Sequence, residues 1–134
     1  MGDDAEDNQQ RVLCRIEDIP DGEARGFVPV DTGHRSVFAV RRGDRAFVYV
    51  NRCPHAGAEL EYAQDRFLSA DRLRIICFAH NAQFDVETGH CVAGPCVGQA
   101  LEAVTARIVE GVIIVPADSG KLSQHPWLTG ASVE

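Results

Sequence analysis

Aromatic residues are scarce in this 134-residue sequence: one Trp, two Tyr and six Phe make up 7% of it. Long apolar runs are missing, and Val112-Ile113-Ile114-Val115 is typical of those present. Such runs fall far short of the roughly 20 residues a membrane-spanning helix needs, so no membrane partner is expected. Bases are in deficit, with 13 Lys and Arg against 20 Asp and Glu, a net charge of −7 and a pI near 5.1. An acidic surface repels phosphate backbones, which argues against nucleic acid as a partner. The opening Met1-Gly2-Asp3-Asp4-Ala5-Glu6-Asp7 lacks the basic start and apolar centre of a signal peptide, so a cytoplasmic location is expected. No stretch carries a helical stripe of a dozen residues, and no internal repeat is visible. With 45% hydrophobic and 25% charged residues, the composition excludes a disordered, collagen-like or coiled-coil chain.

The length suits one domain with one core. Residues 1–10 are acidic and aperiodic and read as a flexible tail, with the folded domain over 11–116 and a C-terminal tail over 117–134. In that last stretch Pro126-Trp127-Leu128 is either a surface anchor or part of a flexible end. Between the tails, short apolar segments alternate with turn residues. Strands are expected at Val12–Glu17, Gly26–Pro29, Ser36–Arg41, Ala46–Asn51, Leu73–Cys77, Ala82–Asp85, Ala103–Val109 and Val112–Val115. Between the last two, Glu110-Gly111 suits a two-residue hairpin turn with positive φ. Ala58–Gln64 has room for one helical turn. The expected class is all-β, with antiparallel sheets forming a sandwich or incomplete barrel.

Five cysteines require a reason, and an odd number in a reducing compartment points away from a disulfide framework. Cys53-Pro54-His55 and Cys77-Phe78-Ala79-His80 each pair a thiolate donor with an imidazole two or three positions on. A single Cys or His is most often an inert buried side chain, but four donors in two matched pairs fit a metal centre. The ligand count suits a tetrahedral Cys₂His₂ zinc site. It suits equally a [2Fe–2S] cluster with two Cys on one iron and two His on the other.

The run Cys53-Pro54-His55-Ala56-Gly57-Ala58-Glu59-Leu60 and the run Cys77-Phe78-Ala79-His80-Asn81-Ala82-Gln83-Phe84-Asp85 resemble the two cluster-binding boxes of Rieske proteins. Glu87-Thr88-Gly89 resembles the family's turn after the second box, Gly94-Pro95 its proline loop, and Leu101 the residue opening the next strand. The resemblance spans roughly Val12 to Val115. It implies the Rieske fold, with a small cluster-binding subdomain of two loops at about 51–97 and one [2Fe–2S] cluster per chain. Cys53 and Cys77 would hold the inner iron, and His55 and His80 the outer one.

Departures from the family pattern refine the resemblance. The 21 residues between His55 and Cys77 exceed the usual spacing and suggest an insertion around Asp65–Arg72. Asn81 replaces the Gly that usually follows the second His, a mild change because Asn tolerates the left-handed backbone region. Respiratory-chain members carry a disulfide where this chain has Ala58 and Ala79, and Ser and Tyr hydroxyls where it has Ala82 and Phe84. Loss of hydrogen bonds to sulfur lowers the potential, toward values on the order of −150 mV.

What the resemblance implies is a ferredoxin, an electron carrier and not an enzyme. It would pass single electrons from an NADH- or NADPH-dependent flavin reductase to a terminal ring-hydroxylating oxygenase. A full oxygenase would need a second iron site, and only His125 follows residue 115. A small Rieske subunit of a nitrite reductase or another oxidoreductase complex is the alternative, and a structural zinc module for protein binding is the alternative of another class. Cys14 is expected to be a small core residue of the first strand. Cys91 and Cys96, on either side of Gly94-Pro95, read as packing beneath that loop, with a disulfide or a second metal site as alternatives. His34, His90 and His125 have no partner at ligand spacing and read as surface residues.

Overall fold

The computed structural model describes residues 10–29, 33–54, 59–61, 63–78 and 81–120. Among them are ten strands and a single 3₁₀ turn, Ile16–Asp18. The strands form three antiparallel sheets, none closed into a barrel. The expected all-β class with antiparallel sheets is observed. No helix among the described residues is long and apolar enough to cross a membrane.

The middle layer consists of β2 (Ala24–Phe27), β3 (Val37–Arg42), β4 (Arg45–Val50) and β8 (Ala103–Val104), in the order β2-β3-β4-β8. Val37, Phe38, Ala39 and Val40 are all buried, so this strand has no solvated face. Because successive side chains on a strand point to opposite sides, the four residues divide between two cores. Val37, Ala39, Val48 and Val50 pack with Ile19, Phe27, Ile113 and Val115. Phe38, Val40 and Tyr49 pack on the other side with Leu60, Phe67, Ile75, Phe84 and four cysteines, Cys53, Cys77, Cys91 and Cys96.

A second sheet closes the first core, in the order β1 (Gln10–Arg15), β10 (Val112–Pro116), β9 (Arg107–Val109). Ile113 and Val115 point inward and are buried while their neighbours are less so, the alternation of a strand with one covered face. Glu110 (φ 51°) and Gly111 (φ 80°) are both left-handed and set Val109 opposite Val112, as the hairpin reading required. The expected strand Ala103–Val109 is in fact two. Ala103–Val104 pairs with β4, and Arg107–Val109 crosses to the other sheet to pair with β10. An alternating pattern records which side chains are half-buried, not which sheet the backbone joins.

The third sheet, β5 (Arg74–Cys77), β6 (Ala82–Asp85) and β7 (Cys91–Ala93), covers the second core. β7 has no counterpart among the expected strands, since three residues next to a glycine turn carry no periodicity. Residues 59–61 and 63–64 adopt no helix, while Ala58 and Tyr62 of the considered helical turn lie outside the described residues. Residues 1–9 of the acidic tail and 121–134, with Trp127 and His125, also lie outside them.

Candidate metal centre

β5 ends on Cys77, and the chain turns at once. The Cys77 carbonyl accepts the Asn81 N–H at 2.8 Å, closing a five-residue turn before β6 begins. Asn81 sits there at φ 61°, the left-handed conformation that its side chain tolerates. Cys53 lies three residues beyond β4. Both cysteines are 0% exposed and belong to the same apolar core. The two boxes are joined directly, the Phe78 N–H donating to the Leu60 carbonyl at 3.0 Å. His55 and His80, together with Ala56, Gly57, Ala58 and Ala79, lie outside the described residues. Among the described residues no group of three metal-ligating side chains is gathered.

Asn51, the one buried polar residue among the described residues, shapes the first box. Its Oδ1 accepts the Leu60 N–H at 2.9 Å. Its Nδ2 donates to Glu61 Oε1 at 2.6 Å and to Ser36 Oγ at 3.1 Å. One side chain thus satisfies groups on both flanks of the loop that carries Cys53, and a buried amide left without such partners would be costly. Sequence reasoning missed this residue. Its only signal was a polar side chain directly after the apolar run Phe47–Val50, just ahead of Cys53.

The second box is backed by a turn. Asp85 Oδ1 accepts the N–H groups of Glu87 and Thr88, and its carbonyl accepts the Gly89 N–H. Tyr49 Oη donates to the Val86 carbonyl at 2.6 Å. Burial, with the charges of Asp85 and Glu87 adding to it, pushes the Tyr49 phenol up to about 12. Gly89 has φ 78°, and a Cβ there would stand 2.7 Å from the Tyr49 ring.

The expected proline loop runs over Gly94–Gly98 against the start of β6. Gly94 has φ 96°, and a Cβ on it would lie 2.8 Å from the Ala82 Cα. Cys91, ahead of this loop, and Cys96, within it, are both buried, their sulfurs 3.0 Å apart. Burial first, then the Cys91 and Cys53 sulfurs, raise the Cys96 thiol to about 12. Ala82 and Phe84 are fully buried in the same core as the paired cysteines and bring no hydroxyl to it. Apolar side chains stand out from the two loops, Phe78 at 57% exposure and Val97 at 63%.

Outside the centre, Cys14 is half-buried against the first core, and burial raises its thiol. His90 is exposed and His34 half-buried. The segment after residue 64 is fixed to the sheet: Asp65 Oδ1 accepts the Gly26 N–H at 2.8 Å, and the Phe67 ring stacks on Phe38 with centroids 4.3 Å apart.

The Rieske [2Fe-2S] domain family matches residues 9–116. The chain belongs to that family. It is 30% identical to the ferredoxin of carbazole 1,9a-dioxygenase from Nocardioides aromaticivorans IC177, over 80% of this chain and 96% of that one, at a TM-score of 0.63. The same fold occurs in the Sphingomonas yanoikuyae B1 ferredoxin, at 23% identity, with 80% and 97% of the two chains covered and a TM-score of 0.62. It occurs again in a complex of reduced oxygenase and oxidised ferredoxin in carbazole 1,9a-dioxygenase, at 24% identity, with 85% and 97% covered and a TM-score of 0.65. No curated protein matches the chain. A Rieske domain carries one [2Fe–2S] cluster, and the donor chemistry here fits it. Two soft thiol side chains, Cys53 and Cys77, are buried in one apolar core, and thiolates are the donors that iron–sulfur clusters use.

Proposed function

We propose that this Rieske ferredoxin is a one-electron carrier, taking electrons from an NAD(P)H-dependent flavin reductase and delivering them to a terminal oxygenase. In this reading Cys53, His55, Cys77 and His80 are the cluster ligands. The observation that carries it is the pair of fully buried cysteines on two loops joined by the Phe78–Leu60 hydrogen bond. Each begins a Cys–His box. Once bound, a [2Fe–2S] cluster would supply a single-electron couple.

The chain's own residues do the rest. Asn51 holds the first box in shape, the Cys77–Asn81 turn holds the second, and the Gly94–Gly98 loop keeps water from the thiolates. Phe78 and Val97 offer apolar contact to a protein partner. The chain's negative charge suits a basic docking face, with association that weakens as salt rises. The lack of hydroxyls at Ala82 and Phe84 favours a potential near the low end of the Rieske range, on the order of −150 mV. That selects the oxygenase-linked role over quinol oxidation.

The test is an EPR spectrum of the dithionite-reduced protein, with iron, sulfide and zinc assayed on the same sample. A rhombic signal with average g below the free-electron value, and two irons per chain, is the expected result. A silent, colourless sample holding one zinc and no sulfide would make the chain a structural zinc module.

A further inference from the structure

Four of the five cysteines line the second core, and only Cys53 and Cys77 begin the Cys–His boxes. Cys91 and Cys96 are left over, and the fold places them together. The Cys91 N–H donates to the Gln99 carbonyl and the Gln99 N–H to the Cys96 carbonyl, each at 2.9 Å. Both ends of the six-residue segment are thus pinned by backbone, and the turn between them is set by Gly94 at φ 96°. Across it the sulfurs are 3.0 Å apart, Cys96 Sγ donating to Cys91 Sγ. A disulfide bond is about 2.05 Å long, so closure needs an approach of about 1 Å, well within a change of side-chain torsion. Packing alone does not call for two thiols in mutual contact. A metal site needs more ligands, and none of the described residues adds a third. Nor is this the bridge of respiratory-chain members, whose positions here are Ala58 and Ala79.

We propose that Cys91 and Cys96 form a reversible disulfide, driven by low-molecular-weight disulfides such as oxidised glutathione. Cys91, at 6% exposure against 1% for Cys96, is the thiol that attacks the small disulfide first. Its sulfur bonds to one sulfur of the small disulfide, whose other half leaves as a thiol carrying the Cys91 proton. The Cys96 sulfur then displaces the second half, which leaves with the Cys96 proton. The protein loses two electrons and two protons, and the small disulfide gains them as two thiols.

The experiment treats the holoprotein with oxidised glutathione, alkylates it under denaturing conditions and maps the peptides by mass spectrometry. Expected are a Cys91–Cys96 linked peptide, two fewer alkylated cysteines and a retained visible spectrum, with the link reversed by dithiothreitol. Cys91→Ala is expected to abolish the link. Should that variant fail to fold, Cys91→Ser serves the same purpose, and the wild-type mapping decides the link by itself. Five alkylated cysteines after oxidation, or a glutathione adduct without a crosslink, would each overturn the proposal. The thiol map reads out whether or not a cluster is bound, so its failure is distinct from failure of the electron-carrier reading.

Discussion

The two faces of the β2-β3-β4-β8 sheet are built on different principles. On one, Val37, Ala39, Val48 and Val50 meet Ile113 and Val115 of the facing sheet. Apart from the half-buried Cys14 at its margin, that core is hydrocarbon on paired strands. On the other, Phe38, Val40 and Tyr49 meet a layer rich in loops, where the backbone is set by hydrogen bonds with the side chains of Asn51, Asp85 and Tyr49. Burial stabilises the first face, where each residue's contribution follows the apolar area it hides. Local polar geometry shapes the second, which gives up regularity to bring two distant thiols into one core. One sheet thereby separates the task of being stable from the task of holding a cofactor.

Substitutions on either side sharpen this contrast. The largest effect is expected from Cys77→Ser, which removes a proposed ligand. The visible and EPR signals of the cluster should vanish, while far-UV circular dichroism keeps the sandwich strands. An unchanged EPR spectrum would remove Cys77 from the centre. Ile113→Ala acts on the hydrocarbon face and should cost about 2–5 kcal/mol in denaturant unfolding. The line shape of the reduced protein should stay as it was, and an altered EPR spectrum would show that the faces are not separate.

Asn51→Ala strands the Leu60 N–H and is expected to cost about 1–3 kcal/mol. Unlike Ile113→Ala, it should also lower the iron content of the purified protein, and full occupancy would deny Asn51 its role in shaping the box. Tyr49→Phe is the mildest, at roughly 0.5–1.5 kcal/mol. Its phenol is held at about 12 in the folded chain, above its ordinary value near 10. The neutral form is therefore favoured by folding, and that contribution is complete below about pH 10 and lost as pH rises toward 12. Wild-type stability should fall across this window more steeply than that of the variant, and parallel curves would count against the buried hydroxyl.

How much of this was legible in the sequence differs between the same two faces. The strands of the sandwich show as apolar segments with the right turn residues, and Glu110-Gly111 announced its own hairpin. The crossing at Thr105-Ala106 was hidden, because alternation describes burial and is indifferent to which sheet supplies the hydrogen bonds. On the cluster side, the Cys–His spacing exposed both boxes, and Asn81 was recognisable as a residue able to take φ 61°. Asn51 was not, since what distinguishes it is three partners that only the fold brings near. The pairing of Cys91 with Cys96 stood there only as one alternative to packing, as spacing does not say whether a turn folds back on itself.

Gly94 has a consequence beyond packing. A Cβ there would stand 2.8 Å from the Ala82 Cα, so any side chain would lift the loop off the start of β6. The missing side chain at position 94 therefore sets how thin a cover lies over the core that holds Cys53 and Cys77, and with it how near another protein's surface can come to them.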